Sequence, residues 1–188
     1  VRKVRACAIA RGIDGQIALV PVNANDSPAE LVTSNPLSKV PTLITEDGLA
    51  LFDSPVICEY LDSVGDALPM FPEHGAARWR ALKLQAMADG ILDASVPRRG
   101  EMQKPQDEGR VAWIARQKAA VDRTLDVLEA EPPHRTVDIG SIAVACALGY
   151  LDFRYAAQPW RPTHPKLAAW FEAFAHDPCI ATTRPDAG

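Results

Sequence analysis

The sequence has no CxxC pair, and its four cysteines, Cys7, Cys58, Cys146 and Cys179, lie far apart. Neither a zinc knot nor a dithiol redox motif is therefore written in it, and no metal is expected. It has no marked excess of either charge: 20 basic against 24 acidic side chains leave a formal charge of -4. That balance exerts no long-range pull on phosphate backbones or anionic lipid, which sets aside nucleic acid and membrane surfaces as partners. Long hydrophobic runs are missing too; the most apolar stretch, Ile142 to Leu148, falls far short of the ~20 residues that cross a bilayer. There is no internal repeat, low-complexity tract or visible signal peptide. Nor is there an initiator Met: the chain opens at Val1, already inside a cationic amphipathic stretch, so a preceding segment is expected. What remains is a chain of 188 residues, 47% hydrophobic and 23% charged, with 16 Pro and 11 Gly, enough for one large core or two modest ones. The cysteines read as buried reduced thiols, which points weakly to the cytoplasm.

Along the chain, Val1, Val4 and Ala8 share one face of an amphipathic helix that stops at Arg11-Gly12. Ile17 to Val22 reads as a short strand, with Pro21 placing it at an edge or an end. A short helical piece follows at Ala29 to Thr33. Thr42 to Thr45 and Leu49 to Phe52 flank Asp47-Gly48, the signature of a hairpin. Ser54 is a candidate N-cap with Pro55 at the first helical position, and Ile57, Tyr60, Leu61 and Val64 form the apolar stripe behind it. Past the proline-rich stretch Leu68 to Pro72 no strand is expected. Helical patterns cover Trp79 to Val96 and Val111 to Leu128, then the apolar run Ile139 to Leu151 behind Asp138, and a last stripe of Leu167, Trp170, Phe171 and Phe174. The expected organisation is a small α/β domain over residues 1–66 and an all-helical domain over residues 75–188.

Two stretches of the α/β part carry chemistry. Asn35-Pro36-Leu37-Ser38-Lys39-Val40-Pro41 leads straight into a strand, and proline at a strand entrance suggests a deliberate turn, with a cis bond one way to make it, that leaves the Val40 backbone open. An open N–H and C=O beside a strand can pair with an extended peptide. Asp53-Ser54-Pro55 stands at a strand-to-helix junction, where the unpaired N–H groups of the first turn and the Ser54 hydroxyl can hold a carboxylate while Asp53 pairs with an ammonium. Together these describe a short peptide with a free α-amino-acid end.

These stretches, with Leu51 to Leu61 and Ile139 to Leu151, resemble the cytosolic glutathione S-transferase family over nearly the whole chain, in its bacterial form. The resemblance implies a thioredoxin-like N-terminal domain, apparently lacking its first strand here, and an all-α C-terminal domain. It implies glutathione as co-substrate, a hydrophobic electrophile as the second substrate, no metal, and a homodimer. Asp53 and Ser54 would hold the γ-glutamyl end, Val40 would pair with the cysteinyl backbone, Pro41 would be the cis proline, and Lys39 could reach the glycine carboxylate. Asp93 stands where some members reach toward the neighbouring subunit's ligand. Trp79, Met87, Met102 and Trp113 are candidates for the electrophile cleft, with core or dimer contact the preferred reading of each.

The sequence departs from the family pattern twice. Asp138 precedes Ser141 at the buried helix, where the family has a hydroxyl residue first and Asp third; this reads as helix capping. At the start, the family's thiol-stabilising Ser, Tyr or Cys would stand before Val1, so no catalytic residue is assigned, and Cys7, two turns into the first helix, is a poor substitute. The expected activity is conjugation of the glutathione thiolate to a hydrophobic electrophile. Glutathione-dependent disulfide reduction or dehalogenation on the same fold, and a noncatalytic binding module, are the alternatives.

Overall fold

The computed structural model of the chain describes residues 1–185. They form two compact units, Val1–Phe71 and Pro72 onward.

In the first unit, α1 (Arg2–Ala10) ends at Gly12, whose φ of 70° suits a residue without a side chain. Its buried residues are Lys3, Ala6, Cys7 and Ala8, so the inward face is rotated from the expected Val1, Val4, Ala8 line, and Val1 is exposed. Small side chains let α1 lie close to the helix over Ser54–Val64, whose aliphatic side chains then fill the space. A short α2 (Ala29–Ser34) follows. Strands β1 (Leu43–Ile44) and β2 (Ala50–Leu51) pair antiparallel, Leu43 with Leu51 and Ile44 with Ala50, around a turn in which Gly48 has φ 85°. Helix α3 (Ser54–Val64) buries Ile57, Cys58 and Leu61; Val64 is exposed, with Cys58 in its place on the inner face. The stretch Ile17 to Val22 is not a strand. Strands exist by pairing, the sole ladder among the described residues is β1 with β2, and Leu19 and Val20 stand exposed.

Arg11 and Asp62 close this unit. Arg11 is 4% exposed and its Nε lies 3.3 Å from Asp62 Oδ1, while its guanidinium donates to the carbonyls of Gly65 and Ala67. Asp62 in turn accepts from the N–H of Met70 at 2.7 Å and of Phe71 at 3.1 Å. One buried ion pair thus satisfies four backbone groups of the segment that leaves α3. Gly65 is required there, because a Cβ would fall 2.7 Å from Arg11 Cβ and from its carbonyl oxygen.

The described part of the second unit is helical: α4 (Gly75–Glu101), α5 (Glu108–Ala130), α6 (Ile139–Arg154), α7 (Pro165–Phe174) and α8 (Pro178–Ala181). Helix α4 continues through Pro97, where the apolar pattern predicts an end near Val96. Helix α6 is buried from Ile139 to Gly149 and packs along α4 and against α7 and α8. Gly140 permits the close approach to α4, where a Cβ would lie 2.8 Å from both the Ala81 carbonyl oxygen and Leu84 Cβ. The helix opens on a reciprocal cap: Asp138 Oδ1 accepts from Ser141 N at 2.8 Å, and Ser141 Oγ accepts from Asp138 N at 2.9 Å. The exchanged order of the two residues therefore still makes both bonds, and Ser141 Oγ also donates to Thr136 O at 2.7 Å. Leu167, Trp170, Phe171 and Phe174 are all buried on α7.

Candidate functional site

The approach to β1 is built around one buried amide. Asn35 is 1% exposed; its Nδ2 donates to Lys39 O at 3.0 Å and Thr42 Oγ1 at 3.1 Å, and its Oδ1 accepts from Leu37 N at 3.0 Å. The loop from Pro36 to Pro41 wraps around this side chain. Ser38, at φ 49°, ties it to the preceding turn through Ser27 Oγ at 3.1 Å and Ala24 O at 3.3 Å. The Val40–Pro41 peptide is cis. Asn35 holds Lys39 by its carbonyl and Thr42 by its hydroxyl, and neither the N–H nor the C=O of Val40 between them is taken by another described residue. Lys39 is exposed.

At the exit of β2, Asp53 is the N-cap of α3, its carboxylate accepting from the Ser54 N–H. The helix thus starts one residue earlier than the sequence suggests, because the carboxylate of Asp53 takes the capping role expected of the Ser54 hydroxyl. That leaves the hydroxyl of Ser54 and the N–H of Val56 without an acceptor among the described residues. Pro55 has no N–H to offer, so these two donors mark the positive end of the α3 dipole. The last pair of the hairpin ladder is Leu43 with Leu51, so Val40-Pro41 lies just before it and Asp53-Ser54 just after it in the chain. An open peptide edge and a donor-rich helix start consequently share one end of the hairpin.

Elsewhere the candidates scatter. Asp93 is exposed on α4. Trp79, 69% exposed, and Met87 line one cavity of about 340 Å³; Met102 lines a second and Trp113 a third. The four do not converge on one cleft within the helical unit. All four cysteines are buried and none forms a disulfide. Burial, with the Asp177 carboxylate beside it, pushes the Cys179 thiol well above its ordinary range. Among the described residues no group of three or more His, Cys, Asp or Glu could hold a metal ion, and no helix is long and apolar enough to cross a membrane.

Two features of the first unit went unforeseen. Asn35 is visible in the sequence only as an Asn-Pro turn signal, which does not distinguish a solvated side chain from a buried one. The Arg11–Asp62 pair spans helices that no local pattern connects.

Family models for the glutathione S-transferase N-terminal and C-terminal domains match residues 1–64 and 111–173. The chain is 36% identical over 191 residues to the uncharacterized GST-like protein YibF of Escherichia coli K12, covering 98% of this chain and 93% of that protein. The chain belongs to the glutathione S-transferase family. Its first unit is accordingly the thioredoxin-like domain of that fold and its second the helical domain. A family member from Pseudomonas fluorescens Pf-5, solved with bound glutathione, is 41% identical and superimposes with a TM-score of 0.90 over 98% of this chain and 93% of that one. A glutathione S-transferase from Methylobacillus flagellatus KT, also solved with glutathione, is 33% identical with a TM-score of 0.87 over the same shares.

Proposed function

We propose that this transferase binds glutathione along the open edge at Val40 and transfers its thiolate to a hydrophobic electrophile. The observation that carries the reading is the open end of the hairpin, where an unpaired peptide edge precedes β1 and the free donors of the α3 start follow β2. The tripeptide has matching parts: a backbone to pair with Val40, a γ-glutamyl carboxylate for Ser54 Oγ and the Val56 N–H, and an ammonium for the outer oxygen of Asp53. Lys39 stands in the loop beside Val40, where the glycine carboxylate would extend. Binding at a helix start favours the anionic end of the ligand by the same dipole that favours Asp53 as cap. A free thiol has a pKa of about 8.5, so at neutral pH only a few per cent is the nucleophilic thiolate, and conjugation requires that this fraction be raised.

None of the chain's own thiols is placed for exchange, since all four cysteines are buried and burial pushes the Cys179 thiol up. The exposed apolar side chains Trp79 and Val96 of α4 and Val111 and Val127 of α5 support a homodimer through these helices. The test is calorimetric titration with glutathione followed by turnover of an activated aryl chloride. Ser54→Ala removes one hydrogen bond to a charged group, about 1.5–3 kcal/mol, and should weaken glutathione binding by about ten- to hundredfold. Absence of saturable glutathione binding to the unmodified chain refutes the reading, whereas binding without turnover of any electrophile supports the noncatalytic module.

A further inference from the structure

The helical unit holds a cavity of about 510 Å³, lined by residues of that unit alone. Its walls are Arg98 of α4, Val121 and Leu125 of α5, Leu151 of α6, and Tyr155 and Trp160 beyond it. Apolar walls with a few fixed polar groups, at roughly 300–1,000 Å³, describe a small-molecule site.

Arg98 sets this cavity apart. It is 5% exposed, yet no carboxylate among the described residues lies within ion-pair distance of it. Its side-chain partners are neutral: Nη2 donates to Oε1 of Gln158 at 2.6 Å, the guanidinium also hydrogen-bonds the Tyr155 side chain with its carbon 4.8 Å from the centre of that ring, and its Nε is buried without an acceptor. Arg11, equally buried, has Asp62. A guanidinium withdrawn from water is costly unless a counter-charge compensates it. The carboxylates lining the cavity are engaged by other residues of its wall: Asp122 pairs with Lys118 at 2.6 Å, and Asp126, its side chain 74% exposed, meets His164 Nε2 at 3.2 Å. The buried side of the cavity therefore carries the uncompensated cation and the exposed side the carboxylates.

We propose that this cavity binds a small organic monoanion, a carboxylate on an aromatic or aliphatic body, with Arg98 as the cation that receives it. The planar guanidinium matches a carboxylate in two-point geometry, and its unused N–H groups are the donors. The aliphatic side chains and the Tyr155 and Trp160 rings accept the apolar body. Asp122 and Asp126 at the open side disfavour a dianion such as phosphate. The site requires neither glutathione nor any residue of the first unit.

The test uses the full chain with benzoate as probe, and benzyl alcohol and inorganic phosphate as its uncharged and dianionic counterparts, at constant ionic strength. Calorimetry should show saturable benzoate binding, at least tenfold tighter than either counterpart, with a matching rise in melting temperature. Gln158→Glu supplies an internal counter-ion to Arg98; this variant should melt above the unmodified chain and lose benzoate binding by tenfold or more. Arg98→Met should lose the benzoate response without melting lower than the parent. Undiminished benzoate binding to either variant, equal binding of benzyl alcohol, or no saturable benzoate binding overturns the proposal.

Discussion

Replacing Asp62 with alanine should destabilise the first unit by about 3–5 kcal/mol, the range for removing one partner of a buried ion pair. The loss has two sources. Arg11 stays 4% exposed with no counter-charge, and the N–H groups of Met70 and Phe71 lose an acceptor at 2.7 and 3.1 Å. Each such bond to a charged acceptor is worth about 1.5–3 kcal/mol, but the contributions overlap with the ion pair and do not add to it. At roughly 0.05–0.15 kcal/mol per residue, a unit of this length has about 4–11 kcal/mol in all, so the substitution removes a large share. Tryptophan fluorescence would miss the effect, because Trp79, Trp113, Trp160 and Trp170 all lie in the second unit. Hydrogen exchange resolved by peptide is the suitable assay, with protection expected to fall in α1 and α3. Combining Arg11→Met with Asp62→Leu should cost less than the sum of the single changes by about 1–3 kcal/mol. A loss below about 1 kcal/mol for Asp62→Ala, or strict additivity in the cycle, would refute the reasoning.

Asp138→Ala breaks the cap of α6 and should cost about 0.5–2 kcal/mol in thermal melting with glutathione affinity unchanged; equal stability would show that Ser141 alone maintains the helix start. Gly140→Ala places a Cβ 2.8 Å from Ala81 O and should cost about 1–3 kcal/mol, read by tryptophan fluorescence in urea. Glu129 of α5 accepts from Lys166 N at 3.1 Å and Leu167 N at 2.8 Å at the start of α7. Burial pushes its carboxyl up, but these two N–H groups, with the Lys166 charge, outweigh that and hold it below the ordinary 4.5. A depressed carboxyl contributes stability above its unfolded value and loses it as pH falls through the folded one. Glu129→Gln should therefore melt below the parent at about pH 7, and the difference should shrink as pH falls below the ordinary carboxyl range; a gap that persists undiminished in acid contradicts the assignment.

The helices of the second unit were legible because their apolar side chains repeat at helical spacing, and α6 was legible as a run with no polar face to turn outward. Pro97 was misleading: it lies one turn before the end of α4, where the helix tolerates the lost N–H bond and runs on to Glu101. The hairpin followed from Asp47-Gly48. Ile17 to Val22 has strand composition, but composition cannot supply a pairing partner. At the candidate site, Pro41 and Ser54 announced themselves through turn and cap chemistry. Asn35 did not, since its importance comes from burial among groups up to seven residues away, and Arg98 was indistinguishable from the exposed arginine next to it, Arg99.

The hairpin has two residues in each strand, a ladder too short to hold its own shape in water. Its form depends on the Asn35 amide on one side and the α3 cap on the other. A tripeptide paired with Val40 and anchored at Ser54 would add a further rung and tie the two supports together. The ligand would then serve as a missing piece of sheet, and at a hundred times its dissociation constant its binding alone would stabilise the folded state by about 2.7 kcal/mol. The resistance of this chain to proteolysis should accordingly rise and fall with the glutathione concentration around it.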